Sequence, residues 1–174
     1  MRDDAFKARC KPLRLVLTDV DGVMTDGTVL LLPDGQEAKA FHIRDGLALA
    51  WARRAGLMTG ILSGRASDAV ARRAAELEMT VVRQGVRDKS AVFREILAEH
   101  ELSAHEVAYI GDDVNDLSVL RQVGLSAAPA DAAFEVRSEV FMITDARGGQ
   151  GCLREVLEAV LRARGDWDRF VSEG

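Results

Sequence analysis

Residues 13–27 read LRLVLTDVDGVMTDG. A short, nearly unbroken apolar run stops at Thr18, and Asp19, Asp21 and Asp26 follow at once. An apolar run of this length bounded by polar residues reads as a strand buried on both faces, the kind found in parallel sheets. The carboxylates at its end repel one another. They make either an ordinary polar turn or a site where a cation or a phosphate offsets the repulsion.

Working outward, the same pattern recurs. MTGILSG (58–64), TVVRQG (80–85), EVAYIGD (106–112), LSAAPA (125–130) and VFMIT (140–144) read as further strands. Between them DGLALAWARRAG (45–56), SDAVARRAAELE (67–78, capped by Ser67), DKSAVFREILAEHE (88–101) and NDLSVLRQVG (115–124) read as helices, and GCLREVLEAVLRAR (151–164) as a closing one. Alternating strands and helices predict an α/β fold: a three-layer, Rossmann-like, mostly parallel sheet flanked by helices. One segment breaks the alternation. TVLLLPDGQEAKAFHI (28–43) carries a PDG turn signal and predicts a projecting β-hairpin. Its VLLL is apolar on both faces, so it packs either on its own domain or against another subunit. The expected organisation is a leader over 1–12, a single domain over 13–164 and a tail over 165–174.

Composition narrows the function classes. Apolar residues make up 48% and charged residues 29%, as in soluble globular domains, and the net charge is −5. That acidic balance with interspersed bases argues against general nucleic-acid binding but leaves room for a local anion pocket. No apolar run approaches the ~18 residues of a membrane span. The opening residues lack a signal-type apolar core, which points to the cytoplasm. Cys10 and Cys152 are too few and too distant to suggest a disulfide framework or a zinc site, and read as reduced thiols.

In an open parallel sheet, functional groups gather where strands end and strand order reverses. Here Asp19 and Asp21 follow the first strand, Ser63-Gly64-Arg65 the second, and GDDVND (111–116), with Asp112, Asp113 and Asp116, the fourth; Lys89 opens the helix after the third. A lone Asp after a strand is ordinarily a cap or turn residue. Five at neighbouring strand ends would be forced to take up protons unless a cation joined them. All-oxygen donors without a His or Cys cluster favour Mg²⁺. A metal, Lys89, the Ser63 hydroxyl and backbone N–H groups together suit a phosphate. With no nucleotide-binding P-loop and no well-placed His base, Asp19 fits a nucleophile that forms an aspartyl-phosphate. Asp21 fits the acid that protonates the leaving alcohol and then activates water.

In this order DVDGVMTDG, LSGR, DK and GDDVND resemble the four motifs of the haloacid dehalogenase superfamily of phosphotransferases. The resemblance implies Asp19 as nucleophile, Asp21 as acid/base, Ser63, Gly64 and Lys89 at the phosphate, and Mg²⁺ on Asp19, the Asp21 carbonyl and Asp112, with Asp113 and Asp116 in or near the surrounding shell. The intervals between motifs hold a hairpin and single helix–strand units, so no cap domain is expected. The longer set LTDVDGVMTDG, EAKAFHIRDG, LSGR, QGVRDK, YIGDDVNDL, VGLSAAPADA and GGQGCLREV is similar to the 3-deoxy-D-manno-octulosonate 8-phosphate (KDO 8-phosphate) phosphatase family, over about residues 13–161. That likeness implies a homotetramer with hairpins packed together, pockets at subunit boundaries, and a role in lipopolysaccharide precursor synthesis. Arg65 suits a sugar-acid carboxylate, because its fork can bind both oxygens. It also favours this branch over relatives acting on nine-carbon sugar-acid 9-phosphates, which carry an acidic residue there. Arg44, Asp45 and the GGQG loop (148–151) are weaker candidates for substrate contact. A catalytically silent tetrameric domain would be expected to have lost Asp19, Asp21 or Lys89, and all are present.

Overall fold

The computed structural model describes residues 2–172. Helix α1 (Arg2–Cys10) leads into β1 (Leu15–Thr18), and a hairpin of β2 (Leu30–Leu31) and β3 (Glu37–Ala38) follows. Then come α2 (Ile43–Arg54), β4 (Met58–Leu62), α3 (Asp68–Glu76), β5 (Val81–Arg83), α4 (Lys89–Glu99) and β6 (Val107–Ile110). The chain closes with α5 (Leu117–Leu120), β7 (Leu125–Ala128), α6 (Phe134–Glu139), β8 (Met142–Ile143), α7 (Cys152–Arg164) and α8 (Trp167–Ser172).

The main sheet has the order β5-β4-β1-β6-β7-β8, and every neighbouring pair is parallel. From β1 the chain runs outward to β5, crosses back to β6, and runs outward again on the other side. Strand order therefore reverses between β1 and β6, which opens a crevice at their carboxyl ends. All of β1 is buried, and its residues alternate between two cores. Val16 joins Ile61, Ala108 and Ile110 under α2 and α7, while Leu15 and Leu17 join Leu62, Val107 and Tyr109 under α4. Full burial of each large apolar side chain contributes about 1.5–3 kcal/mol before chain entropy is counted. Two-sided burial makes these strands read as unbroken apolar runs.

The hairpin is present, and among the described residues no cap domain is inserted. Leu30 pairs with Ala38 across a turn at Gly35, whose φ of +83° suits a residue without Cβ. Its leucines face solvent in the isolated chain, Leu31 being 73% exposed.

The structure departs from the sequence reading at both ends. Residues 2–10, expected as a loose leader, form a helix with Cys10 fully buried and Phe6 stacked on Phe141 at 6.3 Å. Residues 167–172, expected as tail, form a helix whose Trp167 and Phe170 close on Trp51 at 5.4 and 5.7 Å. Met1, Glu173 and Gly174 of those expected segments lie outside the described residues. The helix expected over 115–124 is a 3₁₀ turn (Val114–Asp116) and the short α5, because the loop is held by Asp113 and Asp116 side chains instead of a continuing helix. Ser67 stands at the N-cap of α3 without a side-chain cap bond; its N–H donates to Gln84 Oε1 at 2.9 Å.

Candidate active site

The β1/β6 crevice is where the expected residues meet. Asp19, Asp21, Ser63, Gly64, Arg65, Asp112 and Asp113 line one open cleft of about 250 Å³ together with Gly22, Gly27 and Asn115. Asp19 leaves the end of β1 with its N–H bonded to the Ile110 carbonyl at 2.8 Å, so the two strand ends are fixed together. The Asp19 carboxylate accepts from the Val20 N–H at 2.6 Å and from Lys89 Nζ at 2.8 Å. Gly22 follows with φ +85°, and a Cβ there would lie 2.0 Å from Asp112 Oδ2. Only glycine lets the two acidic loops approach this closely.

Lys89 lies behind the cleft and is 3% exposed. Its Nζ bridges Asp19 Oδ2 and Asp116 Oδ1, the latter at 2.6 Å. Burial alone would depress the ammonium, but the combined attraction of Asp19 and Asp116 raises it above its ordinary value. Tyr109 donates to the same Asp116 oxygen at 2.5 Å, and burial pushes its phenol up, keeping it a donor. Asp116 Oδ2 accepts from the N–H groups of Asp112 and Asp113 at 3.0 and 3.3 Å. Asp116 thus orients Lys89 and shapes the loop after β6.

Asp19, Asp112 and Asp116 each bring a carboxylate oxygen within 4.8 Å of the others. The Asp116 oxygens are already occupied by protein donors, whereas Asp112 Oδ1 is buried with no partner. Burial, reinforced by Asp19, Asp116 and Asp113 and opposed by Lys89, pushes Asp112 up to about 8. Burial likewise brings Asp19 up to about 6, Lys89 opposing and Asp116 adding. An orphaned carboxylate oxygen facing a second carboxylate fits a hard divalent cation, which would keep both acids ionised. The donors left open for it are Asp19 and Asp112, with backbone carbonyls of the adjoining loop.

Above the cleft, Arg65 Nε lies 3.5 Å from Asp21 Oδ2 and its Nη2 donates to Glu37 Oε2 at 2.8 Å. Ser63, 3% exposed, accepts from the Arg65 N–H at 3.3 Å. The GGQG loop supports the site from behind. A Cβ at Gly148 would stand 1.9 Å from the Gly22 carbonyl oxygen, and the Gly149 N–H donates to Val23 O at 2.9 Å. That loop buttresses the Asp19–Asp26 turn, and its glycines permit the contact. Burial pushes both free thiols, Cys10 and Cys152, up to about 12, which makes them unreactive.

Two candidates fall outside the cleft. Asp45 is 2% exposed and caps α7, its Oδ1 accepting from the Arg154 N–H at 2.7 Å. It is a helix-packing residue. Arg44 is exposed on the first turn of α2 and is not among the residues that line this cleft. Conversely, Tyr109, Lys39, Glu37 and Asn115 had no assigned role. Tyr109 sits inside an apolar strand, and only its position two residues before the loop could have marked it.

A six-stranded parallel sheet with acids from its central strand ends and a buried lysine defines the class of haloacid dehalogenase-like hydrolases, and that family's model matches residues 76–154. The 3-deoxy-D-manno-octulosonate 8-phosphate phosphatase KdsC of Yersinia pestis is 38% identical over 162 residues, covering 93% of this chain and 86% of the relative. Among solved structures, that of the Moraxella catarrhalis 3-deoxy-D-manno-octulosonate 8-phosphate phosphatase, in complex with magnesium ion, phosphate ion and KDO, superposes with a TM-score of 0.95. It is 33% identical, with 98% of each chain covered. A probable YrbI family phosphatase from Pseudomonas syringae has the same TM-score at 41% identity, covering 97% of this chain and 96% of that one. The chain belongs to the 3-deoxy-D-manno-octulosonate 8-phosphate phosphatase family of haloacid dehalogenase-like hydrolases.

Proposed function

We propose that the protein hydrolyses KDO 8-phosphate to KDO and inorganic phosphate in a Mg²⁺-dependent reaction. The observation that carries this is the partnerless Asp112 Oδ1 beside Asp19, opposite Lys89, at the β1/β6 crevice. The Moraxella relative's magnesium, phosphate and KDO supply the ligand chemistry that such a site needs.

Asp19 is the nucleophile: its oxygen bonds to phosphorus as the ester P–O bond breaks. Asp21 gives its proton to the departing sugar alkoxide. Water then attacks the aspartyl-phosphate, Asp21 takes the water's proton, and the P–O bond to Asp19 breaks to release phosphate. Lys89, Ser63 and the Gly64 backbone hold the phosphoryl oxygens. Asp19, Asp112 and the Asp21 carbonyl hold Mg²⁺, which when bound neutralises charge on the phosphoryl oxygens. Asp113 caps the turn beside them, accepting from the Val114 N–H at 2.7 Å, and Asp116 aims Lys89. Arg65, half exposed over the cleft, takes the sugar-acid carboxylate in this reading.

The test is phosphate release over a panel of sugar and sugar-acid phosphates. KDO 8-phosphate should lead, and chelation should lower its turnover by at least ~10³ with recovery on adding Mg²⁺. Preference for a hexose phosphate or a nine-carbon sugar-acid 9-phosphate would overturn the substrate assignment.

The same proposal takes residues 13–164 as one catalytic domain and the assembly as a homotetramer joined through the hairpins. In support, Leu30, Leu31 and Leu32 project from a hairpin that leaves them substantially exposed. Sedimentation of Leu31→Lys should show a smaller species than the wild type, since a charge at an apolar contact is left unpaired. A wild-type monomer would remove the interface. The substrate is a multiply charged ester that does not cross a bilayer, which supports a cytoplasmic place in lipopolysaccharide precursor synthesis. Among the described residues no helix is long and apolar enough to cross a membrane.

A further inference from the structure

Asp19 and Asp21 lie two residues apart, yet each has its own lysine. Asp19 takes Lys89, the first residue of α4. Asp21 takes Lys39, which comes from the chain just beyond β3 of the hairpin. The Lys39 side chain is fully buried, and its Nζ donates to Asp21 Oδ1. Glu37 Oε1 lies 3.8 Å from that Nζ, while the other Glu37 oxygen holds Arg65. Arg65 in turn stands 3.5 Å from Asp21 Oδ2. Both oxygens of Asp21 are therefore faced by cations that Glu37 ties together.

The two cations differ in place. Arg65 lines the cleft; Lys39 does not. With its side chain enclosed and its contacts made to Asp21 and Glu37, Lys39 stands behind Asp21 as seen from the substrate. A proton donor delivers rate only when its carboxyl is aimed at the leaving oxygen, and a hydrogen bond from the buried Nζ to Oδ1 fixes the side chain's torsions while leaving Oδ2 to carry the proton. We infer that Lys39 is a positioning residue: the hairpin carries it into the site to hold the Asp21 carboxyl in line for proton transfer to the leaving alcohol. The inference rests on Asp21 being the acid of the proposed reaction.

Leaving-group dependence tests it. The alkoxide of KDO 8-phosphate needs a proton as it departs, whereas p-nitrophenolate leaves as the anion. The parameter kcat/KM covers the steps up to departure, so it isolates the acid's contribution. For Lys39→Met, kcat/KM on KDO 8-phosphate should fall about 100-fold, through kcat with little change in KM. The loss on p-nitrophenyl phosphate should be at least about tenfold smaller. Lys39→Arg should recover part of the difference, and it serves as the measured variant if Lys39→Met does not fold. Asp21→Asn should show the same leaving-group selectivity. Equal losses on both substrates for the Lys39 variants would mean that Lys39 only supports the hairpin. A change confined to KM for KDO 8-phosphate would mean that it binds the sugar acid. Either result overturns the inference. If Asp21→Asn is selective and the Lys39 variants are not, Lys39 alone is misassigned; if Asp21→Asn itself is unselective, the acid assignment fails first.

Discussion

Asp19→Asn is expected to lower phosphate release from KDO 8-phosphate by at least ~10⁴, and to leave no acid-stable phosphoprotein on quenching. The amide cannot attack phosphorus, and no other carboxylate in the cleft has the Asp19 position against Lys89. The same change should leave Tm, measured without Mg²⁺, unchanged or slightly raised. Burial already pushes the Asp19 carboxyl up to about 6, so the fold favours an uncharged group there more than water does. Lys89 would keep its 2.6 Å partner, Asp116. Activity and stability should therefore move independently, as at sites where charge is gathered for chemistry at the fold's expense. An Asn variant retaining more than a few per cent of turnover would sink the nucleophile assignment. One that is inactive only because it is unfolded would sink the stability argument.

Much of this site was legible because α/β topology turns a one-dimensional pattern into a place. Each strand is buried on both faces, so its apolar run stops where the chain meets the crevice, and the first polar residues after each run share one rim. That is how the sequence alone groups Asp19, Ser63 and Asp112, which lie far apart along the chain. What stayed hidden obeys a different rule. Tyr109 is a hydroxyl inside an apolar strand, and its partner is a carboxylate seven residues later that accepts at 2.5 Å. Lys39 lies in a segment with hairpin pattern, where a lysine ordinarily reads as solvated; only the folding of that segment against Asp21 encloses it. Asp45 is the opposite case: a polar residue next to a motif reads as a substrate contact, while the fold gives its Oδ1 an α7 N–H to accept from. The terminal helices were missed because Phe6, Trp167 and Phe170 are isolated aromatics in polar stretches. Their burial comes from tertiary partners and leaves no periodic trace.

Lys89→Met should damage stability and activity together, for two separable reasons. It removes the ammonium shared by Asp19 and Asp116, whose side chains are 8% and 0% exposed, and leaves those carboxylates facing each other. Removing one partner of a buried ion pair costs about 3–5 kcal/mol. For a domain of this size that lowers Tm by on the order of 10 °C. It also removes a cation from the phosphoryl site, so turnover should fall by at least ~10³ even in the molecules that remain folded. Asp116→Asn in the same chain separates the two effects. Its side-chain carbonyl can still accept from the N–H groups of Asp112 and Asp113, and its amide can donate to Tyr109. The freed Tyr109 hydroxyl has the Leu62 carbonyl at 3.4 Å. With one buried charge gone, the double variant should regain at least about half of the lost stability, a coupling of the size found between residues in direct contact. It should regain no activity, because nothing replaces the ammonium at the phosphate. Recovery of turnover along with Tm would reduce Lys89 to a structural counter-ion. Failure of Tm to recover would mean that the loss came from packing and not from an isolated charge. Only stability without activity fits a lysine that the fold needs for charge balance and the reaction needs for itself.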